Sequence, residues 1–85
     1  MDIHLTGRFE RSFAKLTKAE MQTVRKAIVL LGDNPRHSGL HVKKIEGRDI
    51  WEARASARLR MTFDIVGDVI YMRLFGEHDK VLKRP

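Results

Sequence analysis

Residues 50–63, Ile50-Trp51-Glu52-Ala53-Arg54-Ala55-Ser56-Ala57-Arg58-Leu59-Arg60-Met61-Thr62-Phe63, satisfy a folded-back strand pair on both of its faces. Successive residues of a strand point to opposite sides of the sheet. A reversal about Ala57 therefore sets Trp51, Ala53 and Ala55 against Phe63, Met61 and Leu59. The same register sets Glu52 against Thr62 and Arg54 against Arg60. Apolar groups meet on one face and guanidinium groups on the other. Like charges directly opposite each other destabilise a sheet, so the Arg54–Arg60 juxtaposition calls for a compensating anion, most naturally a phosphate.

A second hairpin follows at Gly67-Asp68, where glycine in the first position suits a two-residue type II′ turn. It pairs Val66 with Val69, Ile65 with Ile70, Phe63 with Met72 and Met61 with Leu74, and on the reverse side Asp64 with Tyr71 and Thr62 with Arg73. Upstream, residues 40–45 read as a strand joined to the Ile50 strand through 46–49. Pairing Ile45 with Ile50 puts Lys43 opposite Glu52, Val42 opposite Ala53 and His41 opposite Arg54. All three registers share one parity, as an antiparallel meander requires. The predicted core face carries Val42, Trp51, Ala53, Met61, Phe63, Ile65, Ile70, Met72 and Leu74. The predicted polar face carries His41, Lys43, Glu52, Arg54, Arg60, Thr62, Asp64, Tyr71 and Arg73, and the chain is expected to leave the sheet after Phe75.

The first half supplies a cover for the apolar face. Residues 2–6 alternate as a short strand, and residues 8–16 carry Phe9, Phe13 and Leu16 at helical spacing. Thr17-Lys18-Ala19-Glu20 is a capping box that starts a second helix. Met21, Val24, Ile28 and Leu31 form its apolar stripe, Gly32 is a candidate left-handed C-cap, and Pro35 cannot continue it. The fold class expected is α+β: an N-terminal strand, a two-helix hairpin and an antiparallel meander, forming one domain over residues 1–85.

At 85 residues, with 42% hydrophobic and 33% charged residues, the composition is that of a folded domain and not of a disordered chain. The chain contains no cysteine, which removes disulfides, thiolate catalysis and cysteine-held zinc. No apolar run approaches the roughly 18 residues of a membrane span, and the first residues do not read as a signal peptide. The expected location is cytoplasmic. A net charge of +6 points to a polyanionic partner. Between Ala53 and Phe63 lie Arg54, Arg58 and Arg60 and no acidic residue. The four histidines, His4, His37, His41 and His78, show no metal-ligand spacing.

In this order and length, three features resemble the RelE/ParE superfamily of type II toxin–antitoxin toxins. They are the basic strand leading through Arg54 to Arg60-Met61, the glycine-turned hairpin, and the ending Gly76-Glu77-His78-Asp79. The resemblance implies a RelE-like fold and, for the RelE and YafQ-like branch, metal-free cleavage of messenger RNA without a cofactor. Arg60 falls on the phosphate-binding arginine of that branch, Arg54 on a basic or histidine position, and His78 on the catalytic histidine of YafQ-like toxins. Glu52 stands where RelE has a lysine, and Leu82 is near the place of a base-stacking aromatic.

Cleavage of this kind needs activation of a ribose 2′-hydroxyl, cations on the phosphorane and an acid for the leaving 5′-oxygen. Arg60 suits phosphate clamping because its planar fork takes two oxygens at once. His78 suits proton transfer, its ordinary pKa lying near working pH. The expected catalytic set is Arg60, His78 and Arg54. Arg73, Lys43, Arg58, Tyr71 and His41 are the expected substrate-binding residues, with His41 also a candidate base. His4 and His37 fall outside this set, and Trp51 is assigned to the core by parity. The implied partners are a cognate antitoxin, messenger RNA and the ribosome with its RNA, the toxin being a monomer within a toxin–antitoxin hetero-oligomer. Alternatives on the same fold are a ParE-type gyrase inhibitor and a non-catalytic binding homologue.

Overall fold

The computed structural model describes residues 1–77, so His78 and Leu82 lie outside the described residues. The elements are β1 (Asp2–Leu5), α1 (Gly7–Phe13), α2 (Lys18–Asp33), a 3₁₀ turn (Ser38–Leu40), β2 (Lys43–Lys44), β3 (Trp51–Arg54), β4 (Leu59–Val66) and β5 (Val69–Glu77). They form one five-stranded sheet in the order β1-β5-β4-β3-β2. Strands β2 to β5 make the antiparallel meander, and β1 adds to its far edge parallel to β5. The α+β architecture expected from the sequence is the one observed.

Local chemistry sets the element ends. Thr6 caps α1 by accepting from the Phe9 amide at 3.3 Å, and its hydroxyl donates to the Met72 carbonyl at 2.6 Å, tying β1, α1 and β5 together. The capping box at the start of α2 is complete: the Glu20 amide donates to the Thr17 hydroxyl and the Thr17 amide to the Glu20 carboxylate. That cap needs Thr17 in extended geometry (φ −68°, ψ 163°), which is why α1 stops at Phe13 and not at Leu16. Lys15 and Leu16 tighten into i−3 hydrogen bonds to Ser12 and Phe13 instead. Gly32 is not a C-cap, because α2 continues to Asp33 and Asn34 takes the cap position. Its smallness serves packing. A β-carbon there would lie 3.1 Å from Ile3 and 3.3 Å from the Met1 carbonyl, so glycine lets β1 approach the helix.

The β3–β4 register is the one read from the sequence, with Trp51 against Phe63, Glu52 against Thr62, Ala53 against Met61 and Arg54 against Arg60. The β4–β5 register agrees from Val66–Val69 to Phe63–Met72 and then slips, pairing Thr62 with Leu74 and Met61 with Phe75. Arg73 is the extra residue of a β-bulge. Phe75 consequently replaces Leu74 in the core, where it meets Phe9 edge-on at a centroid distance of 5.2 Å. The strand also runs on through Gly76 and Glu77. Gly67 takes φ 61° while Asp68 does not enter the positive region, as a type II′ turn demands.

The core consists of Phe9, Val24, Ala27 and Leu31 from the helices, Leu40 from the 3₁₀ turn, and Ala53, Met61, Phe63, Ile70, Met72 and Phe75 from the sheet. Val42 and Trp51 are only partly buried against it, and Ile65 is exposed near the hairpin tip, beyond the packed core. Among the described residues no helix is long and apolar enough to cross a membrane. Because the bulge moves one side chain in and its neighbour out, Phe75→Ala is expected to cost about 3–5 kcal/mol and Leu74→Ala far less. Urea midpoints of the two variants check this, and equal losses would contradict the slipped register.

Candidate anion-binding site

On the sheet face away from the helices, His41, Lys43, Glu52, Arg54 and Arg60 line a concavity of about 340 Å³. Three adjacent segments contribute: the end of the 3₁₀ turn with β2, then β3, then β4. Four of the five lining residues come from the sequence-predicted set. The fifth, Glu52, changes how the site works.

Glu52 is almost wholly buried, and its carboxylate lies 3.8 Å from the Arg60 Nε. The two residues are diagonal neighbours across β3 and β4, so Glu52 gives Arg60 a countercharge while Arg54 lies directly opposite it. The compensating anion demanded by the sequence is thus partly internal. Arg60 is itself engaged elsewhere: its Nη1 donates to the carbonyls of Ser56 at 2.8 Å, Ala57 at 3.1 Å and Leu59 at 3.3 Å. The Ser56 hydroxyl in turn accepts from the amides of Arg58 and Leu59. Arg60 therefore turns toward the protein and holds the β3–β4 loop, with 12% of its side chain exposed. Arg54 and Lys43 are exposed and present the concavity's accessible charge. Three cations against one carboxylate leave the lining positive.

His41 enters by an unforeseen route. The strand expected over 40–45 shrinks to Lys43–Lys44, and Leu40 closes the 3₁₀ turn with its side chain buried in the core. His41 ends that turn in the left-handed region (φ 47°, ψ 47°), the one non-glycine with positive φ among the described residues. It forms no strand pair with Arg54, yet it still borders the same concavity.

The other candidates sit apart. Arg73 makes a 2.8 Å ion pair with Asp64, and Tyr71 packs at 5.2 Å against His4 from β1. Arg58 lines a separate cavity with Ala19, Glu20 and Thr23 of α2. The burial of Glu52 was missed because strand parity assigns it to a solvent face. The signal available was its position, diagonal to Arg60 in a register already in hand.

No family model and no curated protein sequence matches the chain. Solved structures do. The DinJ–YafQ toxin–antitoxin complex of E. coli is similar over 94% of this chain and 94% of its own, with a TM-score of 0.76 and 14% identity. The YoeB/ParE toxin of Agrobacterium tumefaciens is similar over 92% of this chain and 99% of its own, with a TM-score of 0.74 and 15% identity. For the intact E. coli RelBE toxin–antitoxin complex the figures are 89% and 94%, 0.70 and 18%. The chain has the RelE/ParE toxin fold. At these identities the likeness is one of fold alone, and the RelE-like frame is what brings β2, β3 and β4 side by side beneath the concavity.

Removing Arg60 leaves the Glu52 charge buried without its cation, so Arg60→Ala is expected to cost about 3 kcal/mol. Arg54→Ala, at an exposed position, should cost less than about 0.5 kcal/mol. Thermal melts of the two variants compare them. At His41, alanine in the left-handed region is expected to be about 1 kcal/mol less stable than glycine, read from denaturant midpoints of His41→Ala and His41→Gly.

Proposed function

We propose that this protein is the toxin of a type II toxin–antitoxin system and a metal-free endoribonuclease that cleaves messenger RNA at the ribosome. The observation that carries the reading is the exposed Lys43–Arg54 pair with His41, opening onto one concavity of a RelE/ParE toxin fold. Lys43 and Arg54 would hold the scissile phosphate, and Arg60 would act mainly by fixing the loop and floor beneath it. His41, which lines the same concavity, would take the proton of the 2′-hydroxyl as its oxygen attacks phosphorus. His78, outside the described residues, is assigned the proton delivered to the departing 5′-oxygen. A positive surface of this kind meets an acidic antitoxin segment that folds on binding, and two of the similar folds are solved with an antitoxin.

A carboxylate bordering the site supports the alternative of a toxin on the same fold that binds without cleaving, including inhibition of DNA gyrase, because Glu52 repels a second anion. Mapping 5′ ends of messages after induction separates the readings. Cleavage is expected to fall about 10²–10³-fold in Arg54→Ala with its melting temperature unchanged, and to fall in His78→Ala as well. Growth arrest that persists in both variants without new 5′ ends overturns the nuclease assignment, and blocked supercoiling with intact translation favours gyrase. RNA affinity should decline steeply with salt, the log–log slope flattening by about 1 in Arg54→Ala.

A further inference from the structure

A second concavity adjoins the first around the short β2 edge of the sheet. It measures about 370 Å³, and Pro35, His37, Val42 and Trp51 line it together with His41, Ser38 and a single cation, Arg36. His41 is thus the common wall of a cationic concavity on the outer face and an aromatic, mostly uncharged one on the helix side. We propose that the second concavity is a nucleobase subsite, receiving the base of a nucleotide whose phosphate lies against Lys43 and Arg54. This rests on the RNA-binding reading above and adds to it the place where a base is held.

The lining has the composition such a site needs. Bases bind without strong sequence preference by stacking on aromatic rings, each stack contributing substantially to affinity. Trp51 is only half-buried, although strand parity assigns it to the core, and its uncovered part borders this cavity. The His37 ring is held in place. Its Nδ1 accepts from the Gly39 amide at 3.1 Å, which assigns the ring proton of the neutral imidazole to Nε2. A β-carbon at Gly39 would press on that ring at 3.3 Å, so glycine keeps the turn tight against it. The Nε2–H is then a donor for a base edge. The left-handed backbone of His41 is the fold's departure from easy geometry here, and it is what turns the chain around the sheet edge between the two concavities. Strain of this sort concentrates at ligand sites.

The chain's one tryptophan makes the test direct, since Trp51 is the sole source of indole emission. The probes are a 2′-O-methyl RNA trinucleotide, which cannot be cleaved through its 2′-oxygen, and the same sugar–phosphate backbone with every base removed. The base-bearing probe is expected to quench Trp51 saturably and to bind about tenfold more tightly than the abasic one, which competes without quenching. His37→Ala, at an exposed position, should weaken the base-bearing probe several-fold and leave the abasic one unchanged. Lys43→Ala should weaken both. Equal affinities with no change in indole emission overturn the base subsite and leave the phosphate concavity standing. Failure of both probes to bind removes the phosphate concavity and the proposed function along with the subsite.

Discussion

The diagonal contact between Glu52 and Arg60 joins everything that positions the candidate site. It lies across β3 and β4, where Arg54 and Arg60 face each other. Arg60 is largely buried, and the buried Glu52 carboxylate gives it a countercharge there, while the exposed Arg54 opposite is screened by solvent. Arg60, so anchored, spends its Nη1 on three carbonyls of the β3–β4 connection. The charge left facing solvent belongs to Arg54 and Lys43. A site that looks in sequence like a pair of equivalent arginines is, in space, one structural arginine and one accessible one.

This division alters how a loss of activity is read. A substitution at Arg60 disturbs a buried ion pair and a loop before it disturbs any ligand, whereas Arg54 can be removed with little consequence for the fold. Arg73 and Arg58 show the same principle in other forms, since each is placed against a different part of the molecule. Positive residues close together in sequence are dispersed over separate surfaces by the sheet's pleat and by the loop that Arg60 holds.

Much of the sheet was legible because side-chain alternation has a period of two and one face is apolar. Trp51, Ala53, Met61 and Phe63 then admit one register, and the structure has it. The capping box at Thr17 was equally plain. The bulge at Arg73 was not, since an extra residue leaves no mark in an alternation that is apolar on both sides, Met72-Arg73-Leu74-Phe75 offering either Leu74 or Phe75 to the core. Phe75 is taken because Phe9 and Phe13 present their rings to it. The expected strand at 40–45 failed for a related reason: burying Leu40 beneath the sheet edge requires a 3₁₀ turn, and that turn throws His41 into the left-handed region.

From sequence alone came the α+β class, the order of elements, the strand partners of the meander and the gathering of His41, Lys43, Arg54 and Arg60 near one another. These follow from local rules, in which parity, helical spacing and caps act over a few residues. Tertiary structure alone decided that β1 lies parallel to β5, that Glu52 is buried beside Arg60, and that Trp51 stays half-uncovered next to His41. Such outcomes depend on which surfaces meet once the helices settle on the sheet, and packing between segments distant in the chain is invisible to any local pattern.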